Sequence, residues 1–225
     1  MTNKKIISYE GWLNEEKLVN TLTEVVKEIN AKLLPCGFNK TASKYKEGTQ
    51  IKLLDSKSKY DFGFSYNKKK NLVEFDGNYQ GVGHYNNSEI CYKDDLKNDL
   101  AKKQGYEIVR FPFWLQLDNE TFEHLFGFNP SCEIKNKFPH GFITNSSLNP
   151  ASFCPLGLKR FEDELNKLLE KIKFEILVSL KVKSDRLNIP IKYVWENELL
   201  NKINSIQNYG ELYNKIKYFA DDFNK

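Results

Sequence analysis

Apolar residues recur every three or four positions near the start of the chain and again in its last third. This spacing predicts a first helix over residues 14–33, with Asn14 as its N-cap, and a long helix over residues 158–187. Two shorter helices are expected nearer the C-terminus, over residues 194–206 and 211–223.

Strand-like alternation replaces the helical spacing between these regions. Three strands are expected, over residues 50–54, 60–66 and 72–76, and the polar stretch 67–71 is expected to be the turn between the last two. Short connections between neighbouring strands are typical of antiparallel pairs. The pattern therefore predicts an antiparallel meander.

A helix and a further strand are expected after the meander. A loop over residues 77–87 leads into a helix over residues 88–104, and an apolar strand over residues 106–111 follows. A strand, a helix and a strand joined by short links form a parallel crossover. The fold class predicted is α/β with a mixed sheet flanked by helices. It is followed by a loop-rich stretch over residues 112–155 and a helical remainder.

Composition places the chain among globular proteins. Its 225 residues are 40% hydrophobic and 14% aromatic, enough for one sizeable core, so disorder as the main state is excluded. The longest apolar stretch, residues 172–180, is interrupted by Lys173, Glu175 and Ser179, so no membrane partner is expected. The N-terminal residues have no secretory pattern, and a cytoplasmic location is expected.

The charged residues and cysteines narrow the function only slightly. There are 34 basic and 30 acidic residues, a net charge of +4, which permits a polyanionic partner without requiring one. Only three of the basic residues are arginine: Arg110, Arg160 and Arg186. The four cysteines have no zinc-binding spacing and are expected to be free thiols: Cys36, Cys91, Cys132 and Cys154.

Three carboxylates are expected to converge on the meander. Asp61 lies on one strand, and Glu74 and Asp76, two residues apart, project to one face of the next. Gathered carboxylates repel one another unless a divalent cation such as Mg²⁺ compensates them. This arrangement favours metal-assisted phosphodiester hydrolysis. The alternative is that Asp61 and Glu74 are surface acids paired with the turn lysines.

Five short motifs in this region resemble the PD-(D/E)XK nuclease superfamily. They are D-F at 61–62, V-E-F-D-G at 73–77, H-Y at 84–85, D-x-x-K-N at 94–98 and G-Y-E-I-V-R-F-P at 105–112. The resemblance covers about 55 of 225 residues and is closest to the branch of very-short-patch repair endonucleases and related restriction and homing enzymes.

The resemblance implies that Asp61 and Glu74 coordinate Mg²⁺. Asp76 is expected as a further acidic ligand because it converges with them, and the alternative is that Asp76 and Gly77 only form a turn. The superfamily places a lysine two positions after the second acid, but this chain has Asp76 there. His84 and Lys97 are the candidates for that role, His84 as a base or phosphate contact and Lys97 as a lysine from the following helix. The alternative for Lys97 is a solvated helix lysine, and for His84 an ordinary loop residue.

The resemblance also implies a restriction-endonuclease-like fold and a function. Residues 1–115 would form the nuclease core, and residues 116–225 a target-recognition and dimerisation region that includes the uncharged polar segment 145–155. His140 has no metal-binding spacing and is expected in a loop. The function expected is that of a type II restriction endonuclease, a homodimer that cuts double-stranded DNA at a palindrome. Two alternatives stay open, a monomeric mismatch-repair nicking enzyme and a catalytically inactive DNA-binding module.

Overall fold

The computed structural model describes residues 4–37, 46–54, 56–79, 82–136, 153–187 and 209–222. His140, residues 145–152 and the helix expected over residues 194–206 lie outside these ranges. Within them, none of the helices has the length and apolar character needed to cross a bilayer.

The protein is mixed α/β, and a five-stranded mixed sheet flanked by helices lies at its centre. In chain order the elements are β1 (Ile6–Tyr9), α1 (Glu15–Glu28), β2 (Lys32–Leu33), β3 (Thr49–Lys52), β4 (Lys59–Tyr66), β5 (Lys69–Asp76), β6 (Asn78–Tyr79), β7 (Val82–Gly83), α2 (Ser88–Lys103), β8 (Glu107–Pro112), α3 (Asn119–Phe126), β9 (Glu133–Asn136), α4 (Pro155–Asn166), α5 (Glu170–Leu187) and α6 (Tyr209–Asp222).

The sheet has the order β2-β4-β5-β8, and β3 also pairs with β4. Strands β3, β4 and β5 are antiparallel neighbours, so the predicted meander is confirmed. Strand β8 runs parallel to β5, with α2 between them in the chain, so the predicted crossover is confirmed as well. This register pairs Glu74 with Arg110 and Asp76 with Pro112.

The turn between β4 and β5 is shorter than the predicted stretch 67–71. Asn67 and Lys68 both have positive φ, 48° and 68°, as the two central residues of a tight hairpin turn require. Strand β5 therefore begins at Lys69, which pairs with Tyr66. The lysine-rich sequence looked like a loop, but two of its lysines belong to the sheet.

The first helix ends earlier than the predicted residue 33. Asn14 caps it by accepting a hydrogen bond from the amide of Lys17 at 2.8 Å. The helix ends at Glu28, and Asn30 takes a left-handed conformation with φ 51°, which turns the chain into β2. Leu33 consequently pairs with Phe64 in the sheet.

Two further expectations about elements were wrong. The stretch expected to be a loop contains α3 and β9. Asp118 is the N-cap residue of α3, and Gly127, with a φ of 77°, ends the helix. The single helix expected over residues 158–187 is two helices, α4 and α5, which end and begin around Lys167. Because α4 begins at Pro155, its start was also predicted too late.

The two faces of the sheet are covered differently. The larger buried cluster joins α1 and one sheet face to Trp114 and to residues of α3, α4 and α5. The smaller cluster lies on the α2 side and includes Tyr60, Leu72 and Ala101. The larger cluster contains residues from both sides of the division expected at residue 115, because β9 pairs with β1 and α4 packs on α2.

Candidate active site

Lys97 reaches from α2 to the sheet and pairs with Glu74. Its Nζ donates to Glu74 Oε1 at 2.5 Å and lies 4.1 Å from the centre of the Tyr60 ring. Each partner's side chain is only 11% exposed. The structure therefore excludes the alternative in which Lys97 is a solvated helix lysine.

Asp61 lies where β4 and β5 separate. Backbone pairing between these strands runs from Tyr66 and Lys69 to Phe62 and Val73. One step further, Asp61 Oδ2 accepts a hydrogen bond from the backbone amide of Phe75 at 2.8 Å. The carboxylate thus occupies the gap between the strands, next to Glu74, and does not project to the surface toward the turn lysines.

Burial makes both carboxyl groups reluctant to ionise. It raises the pKa of Asp61 to about 6, and the negative charges of Glu15 and Asp76 add to this. Burial together with the charge of Asp61 raises the pKa of Glu74 to about 7, although Lys97 opposes the change. The ammonium group of Lys97 therefore does not compensate the negative charge that the pair carries when both carboxyl groups are ionised.

An oxygen of Glu74 also lacks a hydrogen-bond donor. Glu74 Oε2 is buried, and nothing in the described part of the chain donates to it. An unsatisfied buried carboxylate oxygen is costly unless a cation, a water molecule or a proton binds it. Glu74 Oε2 is therefore a candidate ligand atom for a cation.

Asp61 opens into a cleft of about 710 Å³ at the start of α1. The same cleft is lined by Asn14, Glu15 and Gln50. Glu15 was not predicted as a site residue, because an acidic residue in the first turn of a helix is common without a functional role. The signal that could have found it is its position at a helix start that packs beside β4, which is known only once the fold is assembled.

Asp76, the third carboxylate expected at this point, lies in a second cluster. Its side chain is fully buried, and both of its oxygens accept hydrogen bonds from arginine, one set from Arg110 and one from Arg160. These guanidinium groups overcome the effect of burial and hold the pKa of Asp76 below its ordinary value. Its charge is therefore already compensated by the protein.

His84 belongs to the same second cluster. Its Nδ1 lies 2.7 Å from Asp94 Oδ2 and 3.5 Å from Asp76 Oδ1. Burial works against the charged imidazolium, but the hydrogen bond to Asp94 and the two negative charges outweigh it, and the pKa of His84 is raised. A raised pKa favours the protonated ring, which is a poor general base.

Arg160 brings α4 into this cluster. Its guanidinium donates to Asp76 and Asp94, the latter at 2.8 Å, and its Nε donates to Glu164 at 3.0 Å. Arg160 was not predicted to be a site residue, and neither were three residues that surround it: Asp94, Arg110 and Glu164. The signal in the sequence was the rarity of arginine, since only three of the 34 basic residues are arginine. A planar guanidinium group can bind two carboxylates at once, which a lysine ammonium group does less well.

The ligand atoms of Asp76, His84 and Asp94 lie within 4.8 Å of one another, so these residues could hold a metal ion. Both carboxylates already bind Arg110 and Arg160, and a cation would have to compete with two guanidinium groups. Among the described residues, the Asp61–Glu74 pair has one direct ion pair, that of Glu74 with Lys97, and the positive charge of Arg110 also lowers the pKa of Glu74. The second cluster is thus built as an ion-pair network, and the first pair is the better cation site.

Removing Arg160 is expected to destabilise the protein strongly. Arg160→Ala leaves Asp76 and Asp94 buried with one guanidinium between them, so we expect the free energy of unfolding to fall by about 3 kcal/mol or more. Urea denaturation followed by circular dichroism measures this change. Lys159→Ala on the same helix, whose partner Asp163 is exposed, should leave the free energy of unfolding almost unchanged. An equal decrease in the free energy of unfolding in both variants would show that the ion pairs of Arg160 do not stabilise the fold.

No family model, no curated protein and no solved structure matches this chain.

Proposed function

We propose that this protein is a metal-dependent deoxyribonuclease of the PD-(D/E)XK type, with its active site at Asp61, Glu74 and Lys97. One observation carries the proposal: Asp61 and Glu74 lie at the point where β4 and β5 separate, and Lys97 from α2 forms an ion pair with Glu74. Carboxyl groups with pKa values raised by burial and by neighbouring negative charges are typical of functional sites.

The donor set suits a hard divalent cation such as Mg²⁺. Asp61 and Glu74 supply oxygen ligands only, and Glu74 Oε2 has no donor among the described residues. A cation held by these two residues would supply Lewis-acid stabilisation of negative charge on a phosphate. Asp76 is not needed as a ligand here, because Arg110 and Arg160 compensate its charge.

Lys97 takes the role that the superfamily assigns to a lysine on the strand. The strand position, two residues after Glu74, is Asp76, whereas Lys97 brings an ammonium group to Glu74 from α2. An ammonium group in a site that largely excludes water stabilises charge that develops on a reacting phosphate. We therefore assign Lys97 to phosphate stabilisation and orientation of the attacking water, and we assign His84 no part in the chemistry.

Within this class, we propose a type II restriction endonuclease with a restriction-endonuclease-like fold. One Asp61–Glu74 pair per chain cuts one strand, so cleavage of both strands at a palindrome calls for a C₂ homodimer. We place the target-reading and dimer contacts in residues 116–225. This region also contributes to the core through α3, α4 and α5.

Digestion of unmodified DNA tests this finer assignment. Whole-genome-amplified bacterial DNA incubated with Mg²⁺ should give discrete bands, and light scattering on a duplex that contains the recovered site should give about 53 kDa of protein, twice the chain mass of 26.4 kDa. Nicks in one strand by a 26.4 kDa monomer would favour a repair-type nicking enzyme. Binding without cleavage would favour an inactive DNA-binding module.

Cation binding should depend steeply on pH. Carboxyl groups in an unfolded chain have pKa values of about 4. Because the pKa values of Asp61 and Glu74 are raised in the folded protein, their protonated forms stabilise the metal-free fold at low pH. This contribution is lost as the pH rises through about 6 for Asp61 and about 7 for Glu74. Ionisation also creates the cation site. We therefore expect saturating Ca²⁺ to raise the melting temperature by about 5 °C or more at pH 8 and by less than about 1 °C at pH 5.5.

Differential scanning fluorimetry measures this response. Glu74→Gln should abolish the pH-dependent gain, whereas Glu107→Gln, at an exposed position on β8, should keep it. A gain of the same size at both pH values would show that Ca²⁺ binds elsewhere.

A further inference from the structure

Two cysteines from distant parts of the chain meet at the start of α4. Cys91 lies on α2 and is buried, and Cys154 is the N-cap residue of α4 and is partly exposed. Both are free thiols, and their side chains lie close enough to affect each other's ionisation. The other two cysteines, Cys36 and Cys132, show no such pairing with each other among the interactions described.

The surrounding backbone fixes the position of both thiols. Cys91 Sγ lies 3.1 Å from the carbonyl oxygen of His84, and the amide of Cys154 donates to the carbonyl oxygen of Tyr85 at 3.0 Å. A Cβ atom on Gly157 would lie only 1.6 Å from that Tyr85 oxygen, so only glycine allows α4 to pack this closely. The two sulfurs are therefore held together by the fold.

The two thiols differ in reactivity. Burial raises the pKa of Cys91 to about 11, which keeps it a thiol. Burial also opposes ionisation of Cys154, but hydrogen bonds from Ser88 and from the Gly157 amide outweigh it, and the pKa of Cys154 is lowered. The Gly157 amide lies 3.3 Å from Cys154 Sγ. An accessible, ionisable thiol beside a buried one is the arrangement of a reacting and a resolving cysteine.

We propose that Cys154 is a peroxide-reactive residue and that Cys91 resolves its oxidised form into a disulfide linking α2 to α4. The Cys154 thiolate attacks the peroxide O–O bond, an S–O bond forms, and the leaving hydroxide takes a proton to become water. Cys91 sulfur then attacks Cys154 sulfur, the S–S bond forms, and the S–O bond breaks. The departing hydroxyl takes the Cys91 proton as a second water. Each sulfur is oxidised by one electron, and the peroxide is reduced by two.

The disulfide would join two helices that carry site residues. Lys97 is on α2, and Arg160, which holds Asp76 and Asp94, is on α4. Oxidation would also remove the thiol hydrogen that Cys91 offers to the His84 carbonyl. The oxidation step itself does not depend on the proposed nuclease function.

Peptide mapping of the whole protein tests the proposal. Trypsin places the four cysteines on four different peptides, residues 33–40, 71–93, 111–135 and 138–159. After brief exposure of the native protein to hydrogen peroxide and alkylation of the remaining thiols, we expect peptides 71–93 and 138–159 to appear as one disulfide-linked species that dithiothreitol releases. Cys154 should lose its free thiol at least about ten times faster than Cys36.

Variants and denaturant provide the controls. Cys91→Ser should leave a sulfenic acid on Cys154 that a cyclic diketone traps, whereas Cys36→Ser should leave the linkage unchanged. In urea the preference for this pair should disappear, since the fold no longer holds the sulfurs together. Irreversible oxidation of Cys154 without linkage, a linkage between another pair, or reaction of Cys36 ahead of Cys154 would each overturn the proposal.

Discussion

Replacing Asp61 with asparagine or Glu74 with glutamine is expected to reduce Mg²⁺-dependent DNA cleavage on the order of a thousandfold or more. Each change keeps the shape of the side chain and removes one of the two charged oxygen ligands of the proposed cation. DNA binding in metal-free buffer should be retained or strengthened, because a negative charge close to the phosphates is lost. Cleavage rate and binding are measured on the same duplex, by gel assay and fluorescence anisotropy.

Glu107→Gln is the matched control for this pair of variants. It removes an exposed carboxylate from β8, the parallel neighbour of β5, and should leave cleavage within about twofold of the wild type. All three variants should unfold cooperatively, which separates a lost ligand from a lost fold. Turnover close to that of the wild type in Asp61→Asn or Glu74→Gln would mean that the pair has no catalytic role.

Lys97→Ala is expected to slow cleavage on the order of a hundredfold at saturating Mg²⁺. The variant removes the ammonium group that lies 2.5 Å from Glu74 and keeps both carboxylates. Lys102→Ala removes an exposed lysine from the same helix and should have an effect of less than about threefold, chiefly through weaker DNA binding. Single-turnover rates at several Mg²⁺ concentrations separate slower chemistry from weaker cation binding.

If the two lysine variants showed equal and small decreases in cleavage rate, Lys97 would have no role in the chemistry. His84 would then be the next candidate, even though its raised pKa favours the charged ring. A pH–rate profile distinguishes the two cases, since a histidine acting as base requires activity to rise through the pKa of that ring. With Lys97 in the role, His84→Ala should leave the shape of the profile unchanged.

The central part of the fold could be predicted because its signals are local. Alternation along β4 and β5 is a property of short segments, and the crossover to β8 follows from the order of strand, helix and strand. The same locality allowed Asp61 and Glu74 to be proposed as neighbours, and Lys97 was proposed beside them from the resemblance to the PD-(D/E)XK superfamily. Their proximity in the structure follows from β4 and β5 being paired and α2 packing on that face.

The second cluster could not be predicted, because its partners come from a distant part of the chain. The two-residue spacing correctly places Asp76 on the same face as Glu74, but it does not show that Arg160 arrives from α4. Nor does any local pattern bring Asp94 and Arg110 together with them. Contacts of this kind depend on tertiary packing, which a periodicity argument does not include.

Two of the errors at the ends of elements, those after α1 and between β4 and β5, have a common physical cause. Asn30, Asn67 and Lys68 adopt positive φ, a conformation usually expected of glycine, and each ends or turns an element where the sequence pattern continued. Asparagine tolerates this conformation better than other residues with a Cβ atom. An asparagine within an apparently continuous pattern is therefore a useful sign of a boundary in this chain.

The proposed chemistry can be tested most directly by one cleavage measurement. Wild-type protein and Glu74→Gln, purified in parallel, are incubated with whole-genome-amplified DNA in Mg²⁺, and the wild type also in EDTA. We expect cleavage by the wild type in Mg²⁺ alone, with no cleavage in EDTA or by the variant. Cleavage that persists in EDTA, or that Glu74→Gln performs as fast as the wild type, would contradict it, and so would intact DNA in all three reactions.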